Sequence, residues 1–257
     1  MAEYPKTSTN KLGRLSKRGA YDYATVHSII NTSPVLHVSF NDPSQPFPVV
    51  LPMLGCTGNH TNPAGDPNTT EQDLYIHGYV SGRIFKTSKE TGDQGLPITV
   101  AATHIDGLVL ALAPFHNSCN YRSAIIYGHA TLLTDPDERL YAMTLITNNL
   151  LPERWEKSRN PATKAELDST SILRVKVASA SAKVRTGGPH DDRADLRDER
   201  LRKGVWTGTV PVWLQWGEPV PGVDNGREEV EGYIERWRVG ENMRGKGYAY
   251  EAVQKDG

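Results

Sequence analysis

Alternation of apolar and polar positions predicts a mainly antiparallel β architecture. Val35-Leu36-His37-Val38-Ser39-Phe40 alternates as a half-buried strand does. After the turn residues Asn41-Asp42-Pro43-Ser44, Pro48 to Leu54 supplies a partner strand. Leu74 to Gly78 predicts a third strand, and Leu96 to His104 and Gly107 to Ala113 two more, joined through Ile105-Asp106-Gly107, where Asp-Gly favours a hairpin. Tyr121 to Leu133 and Ser171 to Ala182 bring the segments to seven, for a mainly antiparallel set of about six strands, an ordinary size for a sheet or barrel. Helical signals fall between them. Asp22 is placed to cap a helix with Ala24, Val26, Ile29 and Ile30 on one face. Ser81 opens a short helix that ends at Gly92, and Asp135-Pro136 begins a helix over 137–150.

The remaining segments lack a period. Residues 1–20 are polar and basic, which predicts an arm lying on a surface or disordered. Gly55 to Gln72 is rich in Gly, Asn, Thr and Pro and reads as a loop or insertion, and Glu153 to Lys164 as a charged connector. Beyond Gly187 comes a dense charge run, then four of the five tryptophans, so residues 193–257 form an extension that is not fully disordered and whose fold no pattern specifies. The organisation expected is an arm (1–20), a barrel domain (21–192) and this extension.

Composition narrows the function. A formal net charge of −1 offers no basic field for nucleic acid. No apolar run is long enough for a membrane span and no apolar signal core follows the first residues, which points to a soluble, cytoplasmic protein. On that basis the sequons at Asn31, Asn59 and Asn68 carry no meaning. Two cysteines, Cys56 and Cys119, are too few for a disulfide framework, and no closely spaced metal-ligand motif occurs among the eight histidines, so no structural metal is expected. GxSxG, P-loop and strand-following GxGxxG patterns are absent.

Three stretches carry candidate chemistry. In His77-Gly78-Tyr79-Val80-Ser81-Gly82-Arg83 a strand runs through a turn into a helix. The turn's amides, with Ser81 and Arg83, suit a phosphate, although a capped surface helix with a solvated arginine is the commoner meaning. Lys183 and Arg185, two apart, share a strand face and can neutralise a phosphate together. Phe115 to Gly128 leads His116, Asn117, Asn120, Tyr121, Arg122 and Ser123 into an apolar strand, with Tyr121 and Ser123 on one face, where a planar heterocycle would find ring and hydroxyl partners.

With these residues in view, the chain resembles the pyridoxamine 5′-phosphate oxidase-like FMN-binding split barrels, and among them the nitroimidazole-resistance branch. The resemblance is carried by RGAYD (18–22), LYIHG with SGR (74–83), DGLVLALAPFHNSCNYRSAIIYG (106–128) and SASAKVRTGGPHDD (179–192), over roughly residues 14–192. It implies a six-stranded antiparallel split β-barrel with short flanking helices, forming a homodimer with FMN at the subunit interface. By the same resemblance His77, Gly78, Ser81 and Arg83 hold the phosphate, and the backbone at Val50 and Leu51 passes the ring. Ser123 stands where the family places a flavin-edge glutamine. The family's Ser-Arg-Lys reads Gly82-Arg83-Ile84 here, leaving Lys86, Lys183 or Arg185 to replace the lost cation. His77 or His116 would orient a substrate or supply a proton. The implied activity is hydride or electron transfer from NAD(P)H through FMN to a small aromatic, nitro- or quinone-like acceptor. Two alternatives stand beside it: a non-catalytic flavin-binding module, and a haem-binding or haem-degrading split barrel with His116 as ligand.

Overall fold

In a computed structural model that describes residues 2–255, the alternating segments become β1 (Gly19–Ala20), β2 (Leu36–Phe40), β3 (Val49–Gly58), β4 (Asp73–Tyr79), β5 (Leu96–Leu110), β6 (Ser118–Leu132), β7 (Thr170–Arg185) and β8 (Gly208–Pro211). Six of them close an antiparallel barrel in the order β2-β5-β6-β7-β4-β3, with β3 returning to β2. Closure removes the unpaired edges of an open sheet. β1 adds to β7 and β8 to β5. Period 2 explains the interior: Leu36, Val38 and Phe40 of β2 are buried while His37 is exposed, and Leu74 and Ile76 of β4 join them with Ile98, Val100 and Ala102 of β5.

The hairpin expected at Ile105-Asp106-Gly107 does not form, because β5 runs unbroken through it. Gly107 is not in a left-handed conformation. It is required by close approach, since a Cβ there would lie 2.8 Å from Thr209 Cγ2 of β8. Asp106 is buried against Arg122, so neither residue of the Asp-Gly pair serves a turn.

The chain gathers into two compact units, one of residues up to Thr103 with Ser123–Lys183, the other of His104–Arg122 with Val184 onward. In the first, α1 (Tyr23–Thr32) is capped as expected, Asp22 Oδ1 accepting from the Thr25 amide at 2.8 Å, and it buries Val26, Ile29 and Ile30. The N-terminal arm lies on the surface, as one of the two expectations had it, and is anchored there: Tyr4 is buried and its hydroxyl donates to His27 Nε2 at 2.6 Å, while Asn10 donates to the Ala180 carbonyl at 2.9 Å. His27 Nδ1 in turn donates to the Pro67 carbonyl at 2.7 Å, so one imidazole ties the arm to the loop after β3. α2 (Arg83–Thr91) follows β4, α3 (Pro136–Leu150) is capped by Asp135, and α4 (Lys164–Ser169) starts at a Thr163/Glu166 capping box.

The second unit gives the extension its fold. α5 (Arg193–Arg197) and α6 (Glu199–Gly204) precede β8, and α7 (Gly232–Gln254) ends the described chain. Asn242 of α7 clasps the backbone of Trp216, accepting from its amide at 2.7 Å and donating to its carbonyl at 2.9 Å, and the Trp216 and Trp237 rings lie 4.9 Å apart. Among the described residues no helix is long and apolar enough to cross a membrane.

Candidate functional site

His77 stands on β4 opposite Leu54 of β3, two residues beyond the fully buried Tyr75 and on the same face. α3 covers this face because Glu138, in its first turn, accepts from the Tyr75 hydroxyl at 2.9 Å and pairs with Arg174 at 3.3 Å. Beyond that anchor the helix, the connector 151–163 and α4 enclose a cavity of about 480 Å3, within the range of small-molecule sites. Leu54, Met143, Ile146, Leu150 and Leu167 make its walls largely apolar, and His77 reaches into it from the sheet. The connector adds Trp155 and a polar edge of Ser158, Arg159 and Asn160, facing Glu166 of α4.

The His77 imidazole is half-buried, and its buried Nδ1 has no hydrogen-bond partner. Burial lowers its pKa, partly offset by the Leu54 backbone. The ring is therefore neutral at pH 7 and lines the cavity, and a neutral imidazole is the form that binds a metal centre or accepts a proton. Among the described residues no group of three or more His, Cys, Asp or Glu side chains is placed to hold a bare metal ion. Burial pushes the Cys56 thiol up to about 12, which makes it unreactive packing.

In the adjoining turn, Gly78 is required by packing, since a Cβ would lie 2.8 Å from the Phe85 ring. Ser81 does not cap α2 as expected. Gly82 is the cap residue and offers no side-chain acceptor to the leading amides of the helix. Arg83 is half-exposed, with its Nε 3.5 Å from Asp42 Oδ2. Val50 lies exposed on β3, and Leu51 beside it packs on the core. Ser123 donates to the Lys183 carbonyl at 3.3 Å, and Lys183 pairs with Gly19 of β1.

The other sequence candidates belong to the second unit. There the Arg122 guanidinium makes a bidentate pair with the buried Asp106, at 2.9 Å for the shortest contact, and stacks 3.7 Å from the centroid of the Tyr248 ring of α7. Arg185, only 3% exposed, donates to Asn120 Oδ1 and to the Gly188 carbonyl. Both guanidinium groups thus hold the second unit together. Tyr121 is half-buried near them, and His116 Nε2 lies 3.9 Å from Asp192 Oδ2.

Sequence reasoning missed the cavity's helical walls. Met143 and Ile146 were legible only as a packing face, and Trp155 and Arg159 only as members of a charged connector. The Thr163-x-x-Glu166 capping box was the one readable sign that the connector closes into a helix.

A model of the pyridoxamine 5′-phosphate oxidase family matches residues 22–184. Among solved structures, the flavocytochrome Anf3 from Azotobacter vinelandii is 27% identical, with TM-score 0.73 over 90% of this chain and 96% of that one. An FAD and heme binding protein from Mycobacterium smegmatis is 25% identical, with TM-score 0.69 over 85% and 96%. A putative 5-nitroimidazole antibiotic resistance protein from Bacteroides thetaiotaomicron is 19% identical, with TM-score 0.46 over 65% and 86%. No curated protein sequence matches the chain.

Proposed function

This chain belongs to the pyridoxamine 5′-phosphate oxidase family, and from that membership we propose that it is a flavin-binding redox protein whose second prosthetic group, a haem, occupies the cavity beside His77. The observation that carries the haem is that His77, a neutral imidazole, lines a largely apolar cavity of about 480 Å3. The neighbours from Azotobacter and Mycobacterium, described as a flavocytochrome and as binding FAD and heme, support pairing the two groups. His77, which lines the cavity, replaces His116 as the candidate ligand.

The residues of the β4–α2 turn fit a flavin phosphate. The leading amides of α2 have no side-chain cap, Gly78 lets Phe85 pack close, and Arg83 is held only by a long contact to Asp42. Gly78, Ser81 and Arg83 would hold the phosphate, whereas Lys183 stands at the opposite end of β7 from Ser171, the partner of Gly78, and is too far along the strand to serve this turn. When bound, the flavin supplies hydride and one-electron chemistry and the haem one-electron chemistry. The chain's own residues bind and orient: His77 presents its nitrogen, and Leu54, Met143 and Ile146 exclude water. In this proposal NAD(P)H is the donor, and a homodimer completes the flavin cleft against the exposed face that carries Val50 and Tyr79.

The visible spectrum of purified protein is the test. Flavin and Soret bands are expected together, with His77→Ala shifting the Soret band and weakening haem binding at least tenfold while leaving flavin content unchanged. A variant that binds haem with wild-type affinity and an unshifted band removes His77 from the site. Chromatography of the released flavin separates FMN from FAD, light scattering reports the dimer, and bleaching of the flavin band tests NAD(P)H.

A further inference from the structure

The cavity beside His77 is chemically lopsided. Its sheet and helix walls are apolar, whereas the connector side carries Ser158, Arg159 and Asn160. Arg159 is the only lysine or arginine among the cavity-lining residues. Its two terminal nitrogens donate to the Pro161 carbonyl at 2.7 Å and to Glu166 Oε1 at 2.5 Å. Both partners lie in the same short segment, and the Arg159 and Glu166 side chains are 59% and 53% exposed. An ion pair so exposed stabilises little.

Glu166 does not depend on Arg159. Its other oxygen, Oε2, accepts from the Thr163 amide at 2.7 Å and from the Thr163 hydroxyl at 2.9 Å, which completes the capping box that starts α4. Arg159 can therefore turn a planar, fork-shaped set of donors toward a second carboxylate without undoing the helix cap.

We propose that Arg159 binds the carboxylate of the molecule occupying this cavity, so that the site selects a planar apolar ring system bearing at least one carboxylate and seats it with that group at the connector and its ring plane against the apolar walls. The inference rests on the haem reading above and adds to it which edge of the ring faces Arg159. It assigns recognition to a residue distant in sequence from the LYIHG motif that carries His77.

The test compares iron protoporphyrin IX, a dicarboxylate, with its dimethyl ester. Both are titrated in the same mild detergent into the full-length protein freed of haem and followed by the Soret band. Arg159→Gln is expected to weaken binding of the dicarboxylate by about tenfold, the loss of one charge-assisted hydrogen bond, and to leave the ester's affinity unchanged. Arg159→Lys should restore part of the discrimination, and circular dichroism checks that each variant is folded. Glu166→Gln, which removes the competing charge, should strengthen dicarboxylate binding. Equal losses for acid and ester in Arg159→Gln, or no loss for the acid, overturn the assignment while the haem reading stands. Failure of the wild type to bind either porphyrin overturns the haem reading itself.

Discussion

Replacing His27 with Gln tests whether a buried imidazole sets the acid limit of the fold. His27 is 2% exposed, and both ring nitrogens are used, Nδ1 donating to Pro67 and Nε2 accepting from Tyr4. That arrangement requires the neutral ring, and burial lowers its pKa below the ordinary 6.5, with Pro67 and Asp22 only partly opposing. The unfolded chain takes up a proton near pH 6.5 that the folded chain refuses. Stability is then intact above about pH 6.5 and falls as pH drops toward the folded-state value, by up to about 1.4 kcal/mol per pH unit. In protein freed of haem, His77, also lowered by burial, adds a second contribution of the same sign and limit. Asp73 is raised by burial and contributes with the opposite sign, equally in both proteins, so it does not affect the difference between their slopes. Urea unfolding of the haem-free protein followed by circular dichroism at pH 7.5, 6.5 and 5.5 should show the wild type losing up to about 2.7 kcal/mol per pH unit where both rings are protonated in the unfolded chain and neutral in the folded one. His27→Gln keeps a donor for Pro67 and an acceptor for Tyr4 without titrating. Whatever its stability at pH 7.5, its pH slope should be shallower by up to about 1.4 kcal/mol per unit. Parallel slopes for the two proteins would refute the role of His27.

Other perturbations probe the remaining contacts. Arg83→Ala should weaken flavin binding by about 1.5–3 kcal/mol if a charge-assisted bond to phosphate is lost; an unchanged dissociation constant by equilibrium dialysis takes Arg83 out of the site. Tyr75→Phe removes the hydroxyl from Glu138, which keeps Arg174, and should cost about 1.5 kcal/mol in urea unfolding, with the m-value unchanged. Asp106→Asn leaves the Arg122 charge without its buried partner and should destabilise the second unit by about 3 kcal/mol. Faster proteolysis within α7 reports that loss, and a wild-type digestion rate argues against it.

Most of the barrel was legible because period-2 alternation directly records which side of a strand is buried. β2, β4 and the α1 cap at Asp22 follow from local residues alone. Asp106-Gly107 misled for a tertiary reason: its turn chemistry is local, but the glycine serves an approach by Thr209, about a hundred residues away in sequence, and the aspartate serves Arg122. The arm's anchor was hidden for the same kind of reason, since a polar, basic stretch gives no sign that Tyr4 is aimed at His27. Of the candidate site, the strand bearing His77 and the turn to Arg83 were visible as a motif. The cavity was not, because its other walls come from a helix and a connector whose residues read individually as packing and as surface charge. Arg122 and Arg185 show the reverse limit: a cation's presence is written in the sequence, whereas its partner, Asp106 or Asn120, is decided by register.

The second unit has a consequence for synthesis. It draws His104–Arg122 from the middle of the chain, and Arg122 waits for Tyr248 while the Gly187 amide waits for the Ala252 carbonyl. At the usual pace of translation, on the order of ten seconds separates the emergence of Arg122 from that of its aromatic cover. During that interval the Asp106–Arg122 pair has no lid, and Leu108 and Val109 of β5 lack the β8 strand that pairs with them. A nascent chain stalled before α7 thus leaves this pair and this strand uncovered, and the emergence of α7, rather than of the barrel motifs, supplies the aromatic cover over Arg122 and the carbonyl for Gly187.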